Sequence, residues 1–251
     1  MGKLIEALAV LASLAVALAQ PDAARAQERA DLALVMCADI SRSVDETEFR
    51  LQRDGYASAF TDPRVISAIG SGEHRRIAVL YCEWSGSFAQ RVVVDWRIIA
   101  TADDARRLAI DIATAPRAFM DRTAIGAAID FSMKQLARAP YATSRRVIDI
   151  SGDGTNTHDR EPRGLRDEAV ELGITINGLV ILSDVPLAWN PAHTHPPGGL
   201  ENYYRENVIG GPGAFVMVAD GFAAFGQAIL NKLIKEIALG PTSPAGPVRL
   251  R

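Results

Sequence analysis

The feature that most constrains this chain is the unbroken apolar run Leu32–Ala38, which stops at Asp39. A strand with one face in water alternates apolar and polar residues, whereas a run without alternation has both faces covered. Strands buried in that way are usually parallel and wrapped by crossover helices. Arg76–Trp84, Arg146–Ile150, Ile174–Leu182 and Ala214–Val218 read as further strands. Helical patterns fall between them at Thr47–Phe60, Ala102–Ala113, Ala124–Ala137, Arg163–Leu172, Glu201–Glu206 and Phe222–Ile237. Phe49, Tyr56 and Phe60 stand near helical spacing, and Asp62-Pro63 marks the end of the first helix. Arg91–Ile98 follows Trp84 after a short Ser85-Gly86-Ser87 turn, which predicts an antiparallel hairpin at the sheet edge. The expected fold is doubly wound α/β: a mostly parallel six-stranded sheet, one antiparallel edge strand, and helices on both faces. Ligands of such sheets sit at the carboxyl ends of the strands.

The two ends of the chain read differently. Met1-Gly2-Lys3 is a short positive start, Leu4–Ala19 is apolar apart from Glu6, and Ala24-Arg25-Ala26 fits the small-x-small cleavage rule. This predicts a signal peptide over residues 1–26, cut after Ala26, with Ala17-Leu18-Ala19 as an earlier site and an uncleaved anchor as the alternative. No other segment is apolar for long enough to span a bilayer, so the mature chain is expected to be periplasmic or secreted. Residues 27–239 then form one domain, and the Gly240–Arg251 tail, with its three prolines, is expected to be unstructured. A hydrophobic fraction of 48% supplies a substantial core. The net charge of −3 and the lack of a basic run argue against a nucleic-acid partner. Cys37 and Cys82 both fall near strand ends; a bridge between neighbouring strands and two buried thiols are both open from spacing alone.

Three segments bring oxygen-bearing side chains to the ligand edge of this sheet. Asp39-Ile40-Ser41-Arg42-Ser43 follows the first strand, Asp121-Arg122-Thr123 precedes a helix, and Asp153 lies in the Ser151-Gly152-Asp153-Gly154 turn after the Arg146–Ile150 strand. Each has an ordinary structural role open to it. Ser43 with Glu46 three residues on matches a capping box, Thr123 suits a helix cap, and Asp153-Gly154 suits a turn. Together they offer only hard oxygens, which favours Mg²⁺ or Mn²⁺ over zinc, with Ca²⁺ disfavoured by its size.

The set Asp39-x-Ser41-x-Ser43, Thr123 in Arg-Thr-Ala-Ile-Gly-Ala-Ala-Ile, and Asp153 before Gly154 resembles the metal-ion-dependent adhesion site (MIDAS) of von Willebrand factor type A domains. The likeness runs from about Asp31 to Ile237 and is nearest to exported bacterial proteins made of this domain alone. It implies that Ser41 and Ser43 coordinate the ion directly. Thr123 and Asp153 would alternate between direct and water-mediated contact, and Asp39 would act through water. It further implies a non-enzymatic, adhesion- or scaffold-type module whose ion takes an Asp or Glu carboxylate from a protein partner. The long Ser183–Gly199 loop departs from the family pattern.

Other chemistry has less support. Nucleotide-binding glycine motifs and the hydrolase elbow G-x-S-x-G are absent. An aspartyl-phosphate enzyme needs a carboxylate two residues after Asp39, where Ser41 stands. Gly210-Gly211-Pro212-Gly213 reads as a turn, because no helix follows it. His193-x-His195 with Asp184 offers zinc-type ligands, but flanking prolines and the lack of further spaced ligands favour a plain surface loop. The competing function is a metal-dependent hydrolase or phosphatase using the same ion, with His158 or Asp159 as base. A metal-free structural domain is the third alternative.

Overall fold

Both faces of the first strand are covered, as its unbroken apolar run requires. The computed structural model describes residues 27–238; the expected signal peptide (1–26) and the tail from Gly240 lie outside them. Strand β1 (Ala33–Asp39) is buried at every position. Leu34, Met36 and Ala38 enter one hydrophobic layer, and Ala33, Val35 and Cys37 the other. The remaining strands are β2 (Ile77–Trp84), β3 (Gln90–Ile99), β4 (Arg146–Gly152), β5 (Ile174–Ile181) and β6 (Val216–Ala219), in the spatial order β3-β2-β1-β4-β5-β6. β3 pairs antiparallel with β2 at the edge, and the other pairings are parallel. The doubly wound sheet and its antiparallel edge strand are therefore as expected.

Helices α1 (Glu46–Thr61), α2 (Pro63–Gly70), α3 (Ala102–Thr114) and α8 (Phe225–Ala238) supply the first layer. Helices α4 (Ile125–Ala137), α5 (Pro162–Glu171) and α7 (Leu200–Asn207) supply the second. The short α6 (Pro191–Thr194) lies within the long loop. The chain winds outward from β1 through β2 to β3, then crosses back to β4. The crevice between the carboxyl ends of β1 and β4 is thus the topological switch point, where such sheets bind ligands.

Several element boundaries differ from expectation for identifiable reasons. Asp62-Pro63 ends α1 but also begins α2: Asp62 Oδ1 accepts from Arg64 N at 2.8 Å, and Pro63 occupies the first turn. The last helix is preceded by a separate 3₁₀ turn, Phe222–Ala224, and β6 lies two residues later than Ala214. Cys37 and Cys82 face each other across β1 and β2 as buried free thiols, their sulfurs 2.7 Å apart.

The layer beneath α8 holds a fully buried polar group. Lys232 Nζ lies 2.8 Å from Asp149 Oδ1 on β4, while its hydrogen bond goes to Glu236. Asn177 Nδ2 donates to Glu236 Oε1 at 2.8 Å. One ammonium cannot neutralise two buried carboxylates. Burial, only partly offset by Lys232, pushes Asp149 up from 3.8 to about 7. With the folded value above the unfolded one, the protonated carboxyl stabilises the fold fully below about pH 4, and that contribution is lost as pH rises through about 7. Asp149→Asn carries the neutral group's shape at every pH. Its Tm relative to the parent should rise between pH 5 and pH 8, each pKa unit being worth about 1.4 kcal/mol at most. A pH-independent difference in thermal unfolding would contradict a proton held on Asp149.

Candidate metal centre

All five residues expected to form the cage lie at the switch point. Asp39 ends β1 and is fully buried; its Oδ1 accepts from Ser41 N at 2.7 Å, and its backbone carbonyl accepts from Gln52 Nε2 at 2.9 Å. The Ser41 and Ser43 hydroxyls are 3.0 Å apart, and Ser43 Oγ donates to Asp153 Oδ1 at 2.7 Å. The three outer loops are stitched together through their backbones. Arg42 N donates to Asp121 O at 2.9 Å, and Thr157 N donates to Thr123 O at 2.9 Å. Thr123 and Asp153 are almost wholly buried.

Two of the ordinary structural roles considered for these residues are not the ones taken. The cap of α1 is Asp45, not Ser43: Asp45 Oδ1 accepts from Thr47 N at 2.7 Å and Glu48 N at 2.8 Å, and Glu48 reaches back to Asp45 N. Ser43 lies two residues too early, which leaves its hydroxyl free to meet Asp153. Thr123 does not cap α4 either. The N-cap position is Ala124, and Ile125 N is satisfied from a different loop by Asn156 Oδ1 at 2.8 Å.

Other residues contribute that the sequence does not assign to the site. Arg117, from the segment between α3 and α4, donates through Nη2 to the carbonyls of Ile40 (2.9 Å), Ser41 (3.2 Å) and Val44 (2.9 Å). Three carbonyls on one guanidinium fix the curvature of the serine loop and place a positive charge behind it. Tyr204 of α7 lies beneath the site: a Cβ on Gly152 would stand 2.5 Å from the Tyr204 hydroxyl and 3.1 Å from Asp39 Oδ2. His193, expected in a plain surface loop, is instead 1% exposed. Its Nε2 is 3.3 Å from Thr123 Oγ1, and its backbone carbonyl accepts from Thr155 N at 2.9 Å. The proposed hydrolytic bases stand apart: His158 is exposed and its Nδ1 lies 3.4 Å from Arg122, while Asp159 is exposed with a positive φ of 67°.

The electrostatics of the cage are those of crowded, desolvated carboxylates. Burial raises Asp39 well above the ordinary range, and the nearby charge of Asp153 raises it further. Burial also raises Asp153, to about 6, with the Ser43 hydrogen bond pulling the other way. Asp39 Oδ2 and the Tyr204 hydroxyl are buried without hydrogen-bond partners. Adjacent ligands of an octahedral ion bound at about 2.1 Å stand about 3 Å apart, which matches the 3.0 Å between the Ser41 and Ser43 hydroxyls; Asp153 Oδ1 is held 2.7 Å from Ser43 Oγ by a hydrogen bond. Among the described residues no group of three or more His, Cys, Asp and Glu side chains is gathered to hold an ion unaided, so any cage here depends on the hydroxyls. The donor set therefore fits a small hard divalent cation.

The fold is that of von Willebrand factor type A domains. A domain of that type from Catenulispora acidiphila superposes with a TM-score of 0.53 at 14% identity, over 83% of this chain and 43% of its own. The pilus adhesin SpaC of Lactobacillus rhamnosus GG gives 0.61 at 14% identity, over 84% and 31%. Proximal thread matrix protein 1 of the mussel byssus gives 0.58 at 12%, over 84% and 47%, and has also been solved with zinc occupying its MIDAS motif. The chain thus spans less than half the length of each of these structures. The family described as "Protein of unknown function (DUF1194)" matches residues 29–240, and the chain belongs to that family. No curated protein matches its sequence.

Capping and cage chemistry are therefore separable. Asp45→Ala should lower stability by about 1 kcal/mol and leave divalent-cation affinity unchanged. Ser43→Ala should lower divalent-cation affinity, and by stripping Asp153 Oδ1 of its hydrogen bond it should also cost about 1 kcal/mol or more of stability. Chemical denaturation and calorimetry on both variants check the pair.

Proposed function

We propose that this domain is an exported docking module that holds a divalent cation, Mg²⁺ or Mn²⁺, and uses it to bind an Asp or Glu side chain of a protein partner. The observation that carries this reading is Asp39 Oδ2. It is a fully buried carboxylate oxygen with no hydrogen-bond partner, beside Asp153 and two hydroxyls at octahedral spacing. A buried unpaired carboxylate is costly, and a nearby cation offsets that cost.

Ser41, Ser43 and Asp153 or Thr123 would hold the ion, with Asp39 acting through water. The ion would supply an electrophilic centre for an incoming carboxylate. Few direct carboxylates leave positive charge on it, which favours an anionic ligand. A cavity of about 200 Å³ opens beside the cage, lined by Arg42, Ser43, Asp121, Arg122, Thr123, Thr157, Trp189 and His193. Arg42 there lies 3.9 Å from Asp121, so Arg122 is the lining cation that suits an acidic side chain on the way in. The adhesive and matrix roles named for structurally similar proteins are in keeping with such docking. Export rests on the expected signal peptide alone. Among the described residues no helix is long and apolar enough to cross a membrane. The geometry favours the hydrolase alternative less, since His158 and Asp159 are both exposed and His158 meets Arg122 rather than a cage residue.

Titration calorimetry with Mg²⁺ and Mn²⁺ should give one binding event per chain, abolished in Asp39→Asn, which keeps the side chain's shape. Capture from an envelope extract should then retain a partner that EDTA releases. Equal heats for parent and variant would overturn the assignment of the site.

A further inference from the structure

The long Ser183–Gly199 loop delivers one buried side chain to the cage that oxygen coordination does not use. His193 lies at the end of the short α6, anchored by His193 N to Asn190 O at 3.1 Å and Thr155 N to His193 O at 2.9 Å. Its ring lies against the backbone of Gly154, immediately after Asp153; a Cβ there would come within 2.1 Å of Nε2 and Cε1. Only glycine at 154 lets the imidazole settle at this depth. Trp189 stacks on its outer side, with ring centroids 6.4 Å apart and an interplanar angle of 26°.

The imidazole is poorly satisfied as a purely structural group. Its two ring contacts, Nε2 to Thr123 Oγ1 at 3.3 Å and Nδ1 to Thr155 Oγ1 at 3.5 Å, are both longer than the usual range of about 2.7–3.2 Å. With Nδ1–H assigned toward Thr155, the Nε2 lone pair is the one on the Thr123 side. Such a partner on the distal nitrogen is the usual way a metal-binding histidine is oriented. Two ligands bound to one ion at about 2.0–2.1 Å stand about 3.0–3.3 Å apart, in octahedral or tetrahedral arrangement respectively. The Thr123–His193 separation of 3.3 Å is short enough for both side chains to reach one ion.

We propose that His193 is a nitrogen ligand of the cation site, so that the cage prefers late first-row divalent ions such as Co²⁺ and Zn²⁺ over Mg²⁺. This rests on the docking reading, because it presupposes the cage. Oxygen-only cages suit hard ions, whereas one neutral imidazole shifts the order of affinity toward Co²⁺, Ni²⁺, Cu²⁺ and Zn²⁺. The cavity beside Ser43 and Thr123 still leaves a side approach for a carboxylate.

The deciding measurement needs no variant. Pulsed electron paramagnetic resonance on the Mn²⁺-loaded protein should show a directly bonded ¹⁴N coupling, replaced by the ¹⁵N pattern when histidine alone is ¹⁵N-labelled. Calorimetry should place Co²⁺ and Zn²⁺ at least about 100-fold tighter than Mg²⁺. In His193→Gln the ¹⁴N coupling should vanish, and Co²⁺ and Zn²⁺ affinity should fall by about 10- to 100-fold while Mg²⁺ affinity stays within about threefold. Cation binding that is lost in Asp39→Asn but shows no nitrogen coupling in the parent would overturn the role of His193 and leave the docking site standing. No binding of any of these ions to the parent would overturn both.

Discussion

The burial of β1 on both faces is the constraint on which the rest of the structure depends. A strand whose Leu34 and Val35 both need apolar cover cannot present either face to water. It needs a helical layer on each side and parallel neighbours, which brings the carboxyl ends of β1 and β4 together. Asp39 and Asp153 meet there because the register of β1 on β4 is fixed along the whole strand, from Ala33 opposite Arg146 to Ala38 opposite Ser151. The polar site is thus a consequence of the apolar layers beneath it.

Most of that arrangement is legible in the residues. The apolar run, the hydroxyl-rich loop after it and the Asp153-Gly154 turn are local patterns, and local patterns survive in sequence. The cap of α1 was ambiguous because two overlapping capping boxes occur, Ser43 with Glu46 and Asp45 with Glu48, two residues apart. Tertiary contact decides between them, since Ser43 is drawn to Asp153, 110 positions away. Asp62-Pro63 shows a similar ambiguity: the same pair that stops one helix is suited to start another, and Val65 and Ile69 find a buried face that makes the second helix worthwhile.

His193 and Arg117 were illegible for a different reason. Arg117 belongs to no recurring spacing, and the His193-x-His195 pair does not signal that His193 is buried against the site. The burial of His193 depends on the bare backbone of Gly154, 39 positions earlier, and on Thr155 gripping its carbonyl. Arg117 finds its partners among carbonyls, which every residue possesses and which leave no trace in residue type. A sequence pattern records side-chain chemistry well and main-chain acceptors hardly at all.

Similarity at 12–14% identity over little more than the shared fold means that the layers are held in common with those relatives while the edge is free to differ. The separate cap at Asp45 has a kinetic consequence here. Helix α1 is started by its own side chains at Asp45 and Glu48, and the serine loop is held by Arg117, so the loop's shape is set by protein contacts. If the proposed ion binds, loading would require little ordering of the chain, and the slow event would be the ion shedding its own water. The rate at which such a site fills would follow the water-exchange rate of the ion offered, and the protein would set only how long the ion stays.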